Sequence, residues 1–297
     1  MNRRTLLGNS ALLAAAGVAR GAAAEGESKP PLPFKISLAQ WSLHRGIFAR
    51  KIDPLDFARI ANGYGIDAIE YVNQFFKDRA RDRRYLGELK RRAAGEGVWS
   101  ALIMVDDEGK LGDGDDARRA RAIEDHKKWL EAAAYLGCHS VRVNAHADGS
   151  AEEASRRVAD GLRRLTELAE PFGLNVIVEN HGGLTADGTW LARTLGRVGH
   201  PRCGALPDFG NFEDHDRYQG VRELMPLARA VSAKSHAFDA EGNETRTDYL
   251  RMMKIVTAAG FHGYVGIEYE GETLPESEGI AATRRLLERV RGKIAAG

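Results

Sequence analysis

Four apolar runs in the C-terminal half of the chain each end in an oxygen or imidazole donor, and their spacing constrains the fold more than any other feature. Asn175-Val-Ile-Val-Glu179, Leu206-Pro-Asp208, Val231-Ser-Ala-Lys-Ser-His236 and Val265-Gly-Ile-Glu268 place Glu179, Asp208, His236 and Glu268 28 to 32 residues apart. Such an interval holds one strand, one helix and two turns. Four successive βα units therefore each present one candidate ligand.

The same alternation runs through the N-terminal half. Residues 34–41, 66–71, 98–104 and 140–146 read as strands, and residues 53–62, 82–94, 116–136 and 152–169 as helices with Asp or Glu in their first turns. Helices over 187–197, 218–228, 245–259 and 277–290 follow the later strands. Eight βα units without a break in composition predict a single (β/α)8 TIM barrel over residues 34–293. Its active side is the mouth at the carboxyl ends of the strands, where the four ligands fall. Residues 106–116 are acidic and glycine-rich, so they read as a mobile surface loop long enough to suggest a lid.

Within residues 140–146, Arg142, Asn144 and His146 alternate with valines and alanine. The outer face of a closed parallel barrel packs on helices, so this polar face points into the mouth. By the same period of two, Lys234 shares a face with His236. Neither GxGxxG after the first strand nor GxxxxGK[ST] anywhere occurs, which argues against nucleotide chemistry. Lys plus Arg (43) balances Asp plus Glu (42), so no global field draws the chain to nucleic acid or anionic lipid, and a small neutral partner is expected. Cys138 and Cys203 lack metal or redox spacing and read as buried apolar residues.

Residues 1–24 combine Arg3 and Arg4, an apolar run over 11–18 and small residues at Ala22–Ala24. This resembles a twin-arginine export signal, with the mature protein beginning near Glu25 and working in the periplasm. The apolar run is too short to remain as a membrane anchor.

Three carboxylates brought together repel one another unless a cation holds them. Glu179, Asp208, His236 and Glu268 suit a divalent ion, Mn²⁺ best, with Mg²⁺, Co²⁺ or Zn²⁺ compatible. With a carbonyl polarised by that ion, Glu179 and Glu268 form a pair able to remove and return a carbon-bound proton. His146 and Lys234 are further candidates for acid, base or oxyanion partner. Trp41, Tyr71 and Phe209 near strand ends offer faces for a sugar ring. Glu70, Arg142, Asn144 and His181, with His44 and Asn180, are candidates for its hydroxyls.

Val-Glu179-Asn, Asp208-Phe-Gly, Lys-Ser-His236 and Ile-Glu268-Tyr-Glu on successive strands resemble the xylose isomerase-like TIM-barrel superfamily of sugar isomerases and epimerases, over residues 34–290. In its ketose 3-epimerases the two glutamates are both ligands and acid/base, and aspartate and histidine complete the metal site; the resemblance carries this to Glu179, Glu268, Asp208 and His236. Two positions depart from it. Asn211 stands where those epimerases have a substrate-binding histidine, and Thr185 where they have a second acid. The superfamily also includes enzymes that remove the carbon-2 proton of 3-keto-glycosides and expel the anomeric substituent, a branch that export favours. The expectation is a metal-dependent carbohydrate isomerase or epimerase working through an enediolate. A 3-keto-glycoside lyase is the alternative, and a non-catalytic sugar-binding barrel the non-enzymatic one. A metal endonuclease is disfavoured by the few histidines at strand ends and the lack of a basic stripe. A homo-oligomer is compatible with the sequence.

Overall fold

Short β-branched and aliphatic runs bounded by turns form eight parallel strands, and the segments between them form helices that cover the sheet. The computed structural model describes residues 32–297, so the expected signal at residues 1–24 lies outside the described residues. The strands are β1 (Lys35–Ala39), β2 (Ala68–Val72), β3 (Trp99–Val105), β4 (Ser140–Val143), β5 (Asn175–Glu179), β6 (Cys203–Leu206), β7 (Val231–Ser235) and β8 (Tyr264–Tyr269). The helices are α1 (His44–Phe48), α2 (Phe57–Gly63), α3 (Arg83–Gly95), α4 (Asp116–Leu136), α5 (Ala151–Ala169), α6 (Gly188–Val198), α7 (Arg217–Leu224), α8 (Tyr249–Ala258) and α9 (Glu276–Ala295). No helix among the described residues is long and apolar enough to cross a membrane.

The sheet runs β6-β5-β4-β3-β2-β1-β8-β7, every neighbour parallel, which is the TIM barrel expected. The seam between β6 and β7 is held differently. Pro207 has no N–H to donate, so the ladder thins to isolated bridges, Ala205 with Ala228 and Asp208 with Ser232. Around it the Ser232 N–H donates to Pro207 O (2.9 Å) and the Phe209 N–H to Ser232 O (3.1 Å). The barrel thus closes at Asp208, one of the candidate ligands.

Several elements stop earlier than their sequence pattern suggests. β4 ends at Val143 and β7 at Ser235, before His146 and His236. α8 begins only at Tyr249, because the Glu244 carboxylate accepts the Arg246 and Thr247 N–H groups (2.7 and 2.6 Å) and Asp248 caps the helix. α7 ends at Leu224, where Pro226 turns the chain into a 3-10 turn.

The loop after β3 is not a free flap. Glu108 is buried and accepts from Lys128 Nζ (2.7 Å) and Trp129 Nε1 (2.8 Å) on α4. Leu111 is fully buried, and the Gly112 N–H donates to His146 O (3.1 Å). On α5, Gly161 lets the loop dock: a Cβ there would overlap the Leu111 carbonyl. The expected mobile loop is therefore a fixed wall, because an apolar anchor inside the polar segment finds a slot. Gly161→Ala should lower stability by about 2 kcal/mol and expose residues 106–115 to limited proteolysis; an unchanged melting curve and digestion pattern would refute the docking.

Candidate active site at the barrel mouth

Glu179 ends β5, Asp208 follows β6 and Glu268 lies in β8, and their carboxylate oxygens come within 4.8 Å of one another. All three are buried. Asn180 holds the ends of β5 and β6 together beyond the reach of the ladder. Its Nδ2 donates to Asp208 O (3.1 Å), and its Oδ1 accepts the Asp208 N–H (2.8 Å). Asp208 Oδ1 accepts the N–H groups of Gly210 and Asn211 (2.8 and 2.9 Å). Ser232 of β7 lies between the other two oxygens, 2.6 Å from Asp208 Oδ2 and 2.8 Å from Glu268 Oε2.

Two cations reach the cluster from opposite sides. Arg142 Nε lies 2.8 Å from Glu179 Oε2, but off the hydrogen-bond line, so neither atom has a hydrogen-bond partner. Arg142 Nη1 and Asn144 Nδ2 both donate to Asp106 Oδ1 (2.6 Å each). Asp106 is itself fixed by Asn73, whose side chain exchanges two hydrogen bonds with its backbone (2.8 and 3.0 Å). Lys234 Nζ stands 3.7 Å from Glu268 Oε2 and 3.3 Å from Glu270 Oε1.

These contacts separate the two glutamates electrostatically. Burial pushes the Glu179 carboxyl up to about 7, against the pull of Arg142. Burial acts on Glu268 too, but the Lys234 ammonium, the Ser232 hydroxyl and Arg142 outweigh it and hold Glu268 below the usual range. Ser232 has one proton for two acceptors. Burial pushes Asp208 well up, against the pull of Lys234, and the Ser232 hydroxyl lies within hydrogen-bond distance of both carboxylates.

The orphaned Glu179 Oε2 and three converging carboxylates fit a hard divalent cation, with Glu179, Asp208 and Glu268 as its protein ligands. His236 is not among them. The chain leaves β7 at Ser235 because the His236 and Ala237 N–H groups turn to Glu244 Oε1 (3.2 and 3.5 Å), so the period of two stops short of the imidazole.

A profile of the xylose isomerase-like TIM barrel matches residues 58–290. The chain belongs to that family. No curated protein matches the sequence significantly. Among solved structures the barrel is similar to an apo 3-keto-D-glucoside 4-epimerase from E. coli, with TM-score 0.68 and 18% identity over 86% of this chain and 99% of that one. It is also similar to D-psicose 3-epimerase from Clostridium cellulolyticum, with TM-score 0.72 and 13% identity over 87% and 99%. The zinc-bound IolI protein matches with TM-score 0.70 and 15% identity over 88% and 99%.

A cavity of about 350 Å³ opens over the cluster of this family member, lined by Trp41, Gln74, residues 105–110, His126, Arg142, Asn144, His146, His181, Glu268 and Glu270, together with Val72. Of the three clustered carboxylates, Glu268 alone lines it. Trp41, Arg142, Asn144, His146 and His181 reach the cavity as expected. Asn211 does not line it: its Nδ2 donates to Glu179 Oε1 (3.0 Å). Lys234 is nearly inaccessible behind Glu268. Tyr71 faces outward into the core with Phe57 and Phe76, and Phe209 packs edge-on against Tyr249, so neither can stack on a ligand. Thr185 closes the turn after β5, accepting the His181 N–H and donating to Gly182 O (2.8 Å each).

Sequence reasoning missed Asp106, Ser232 and Glu270. Glu270 had a signal, since it shares the inward period of Glu268; a serine within a strand and an aspartate opening a loop carry none. Glu70, expected at the substrate, is buried away from the cavity. It accepts from Ser37 Oγ (2.6 Å) and fits only because Gly266 has no side chain, where a Cβ would stand 2.6 Å from its Oε1. Burial above all, with Glu268 and Glu179 adding to it, pushes Glu70 up to about 7. Its folded pKa exceeds the unfolded value, so its contribution to stability is complete below about pH 4 and is lost as pH rises to 7. Glu70→Gln should therefore be more stable than the native chain at pH 8 by up to about 3 kcal/mol, and equal to it near pH 4. Urea melts in EDTA that run parallel at both pH values would refute this.

Proposed function

We propose that the protein is a carbohydrate isomerase or epimerase that moves a proton next to a carbonyl, with Glu268 at the cavity wall as base and Glu179, buried beside it, as the paired carboxyl that would relay the proton rather than touch the sugar. The observation that carries this is the asymmetry of the pair: Glu268 lines the cavity and is held ionised, while the neighbouring Glu179 is pushed up to about 7. The similar barrels named as 3-keto-D-glucoside and D-psicose epimerases support the substrate class. A divalent ion held by Glu179, Asp208 and Glu268, Mn²⁺ by its affinity for oxygen donors, supplies Lewis-acid polarisation of the carbonyl.

The chain's own groups do the rest. Trp41 lines the cavity and offers apolar indole surface to a sugar. Burial lowers both His146 and His181, leaving neutral imidazoles at pH 7 that donate to or accept from hydroxyls. Arg142, fixed by Asp106, lies against Glu179 and lines the cavity, where it would face a substrate.

The same first step on a 3-keto-glycoside, followed by departure of the anomeric substituent, is the second reading, and one observation favours it. Trp41 stacks on His44 (4.9 Å) and Phe75 (5.9 Å), and Phe48, 56% exposed, packs edge-on against both Trp41 and Phe75. This apolar shelf beside the cavity suits an aglycone.

Proton NMR in D₂O with Mg²⁺, on a 3-keto-glucoside and on free ketoses, tests both. Loss of the carbon-2 signal with the glycoside intact supports isomerisation or epimerisation, and free aglycone supports the lyase. Glu268→Gln should slow exchange at least about 1,000-fold. Exchange unaffected by that change, or none with any of these sugars, overturns the mechanism. The reading includes export, which the signal-like residues 1–24 support. Changing Arg3 and Arg4 to lysine should retain the protein in the cytoplasm; continued export would refute a twin-arginine route.

A further inference from the structure

β7 brings a tethered cation, not an imidazole, to the carboxylate cluster. Its inward side chains are Ser232 and Lys234, and Lys234 pairs in register with Glu268. The lysine is built into place. Its stem crosses Gly210, where a Cβ would stand 2.9 Å from Lys234 Cδ, and the Tyr249 hydroxyl anchors its backbone through the carbonyls of Ala233 and Lys234 (3.0 and 2.9 Å). The Lys234 side chain is only 3% exposed, and its ammonium lies between a buried acceptor, Glu268 Oε2 (3.7 Å), and an outer one at the cavity wall, Glu270 Oε1 (3.3 Å).

An ammonium has no lone pair, so it cannot ligate a metal, and it neutralises the same carboxylate the metal would use. We propose that Lys234 is an internal counter-ion that competes with the divalent metal for Glu268, giving a metal-free protein that is charge-compensated and folded. Metal enters as the ammonium moves outward onto Glu270. Glu270 is the receiver that makes this exchange possible without sending Lys234 into solvent. The site then fills at a higher free metal concentration than the same carboxylates would need without the lysine, and binding changes the charge presented at the cavity wall.

This rests on the reading of Glu179, Asp208 and Glu268 as ligands, and the test separates the two. Free Mn²⁺ is followed by electron paramagnetic resonance during titration of the native chain, Lys234→Met and Glu270→Gln, and melting is recorded in EDTA and in Mn²⁺. Lys234→Met should bind Mn²⁺ about tenfold or more tightly than the native chain. It should melt lower in EDTA than the native chain and gain more from Mn²⁺, since the weaker-binding native chain is stabilised less by the same free metal. Glu270→Gln keeps the buried charges paired, so it should fold and bind Mn²⁺ more weakly than the native chain. Native binding as tight as that of Lys234→Met, or Glu270→Gln binding unchanged, overturns the competition and leaves the ligands standing. Failure of every folded form to bind Mn²⁺ overturns the ligand reading and the inference with it.

Discussion

Carboxylates can be buried in this barrel because two cations from neighbouring strands meet them there. Arg142 comes from β4 to Glu179 and Asp106, and Lys234 from β7 to Glu268 and Glu270. Without such partners an ionised carboxylate in a low-dielectric interior gives up its charge by taking a proton. The same network closes the fold. Where Pro207 interrupts the ladder between β6 and β7, Asn180, Asp208 and Ser232 bind the strand ends with side-chain hydrogen bonds. Site and seam are one structure, so a substitution at Asp208 or Ser232 acts on both.

How much of this was legible in the sequence depends on how far the strand period persists. Inside the strands it is reliable: Arg142 and Glu268 point inward as alternation demands, and the repeating βα interval fixes the barrel. Beyond the strand ends, local side-chain chemistry decides. Glu244, eight residues after His236 in the chain, captures the backbone there and removes the imidazole from the cluster, and no pattern of spacing signals that. The loop after β3 misleads for a related reason. Its composition is that of a mobile segment, yet one leucine and one glycine on a facing helix dock it. Glu70 shows the complementary case, an acid whose pocket is defined by the absence of a side chain at Gly266 on a strand distant in sequence.

The two departures from the epimerase pattern have a shared consequence. Asn211 spends its amide on Glu179, and the Thr185 hydroxyl closes the turn behind His181. Both groups are consumed inside the protein, on the β5–β6 side of the mouth. Among the described residues, the cavity is lined from the other side, by the ends of β1 to β4 and β8, His181 being the contribution from after β5. On the proposed function, recognition would therefore fall to the wall built by Trp41, residues 105–110 and the polar face of Arg142, Asn144 and His146.

That wall is rigid on one flank and adjustable on the other. Asp106, locked by Asn73 and loaded with Arg142 and Asn144, fixes the positions of groups that would meet sugar hydroxyls, which lowers the ordering cost of binding. Opposite it stands Glu270, at the cavity edge and one short step from Lys234. A sugar whose hydroxyls engage Glu270 removes an acceptor from the ammonium, and one that leaves Glu270 free does not. On the proposed function, binding of substrate and the charge state of the carboxylate cluster would be coupled through that one side chain, and selectivity would reside partly in how each sugar treats the lysine's second partner.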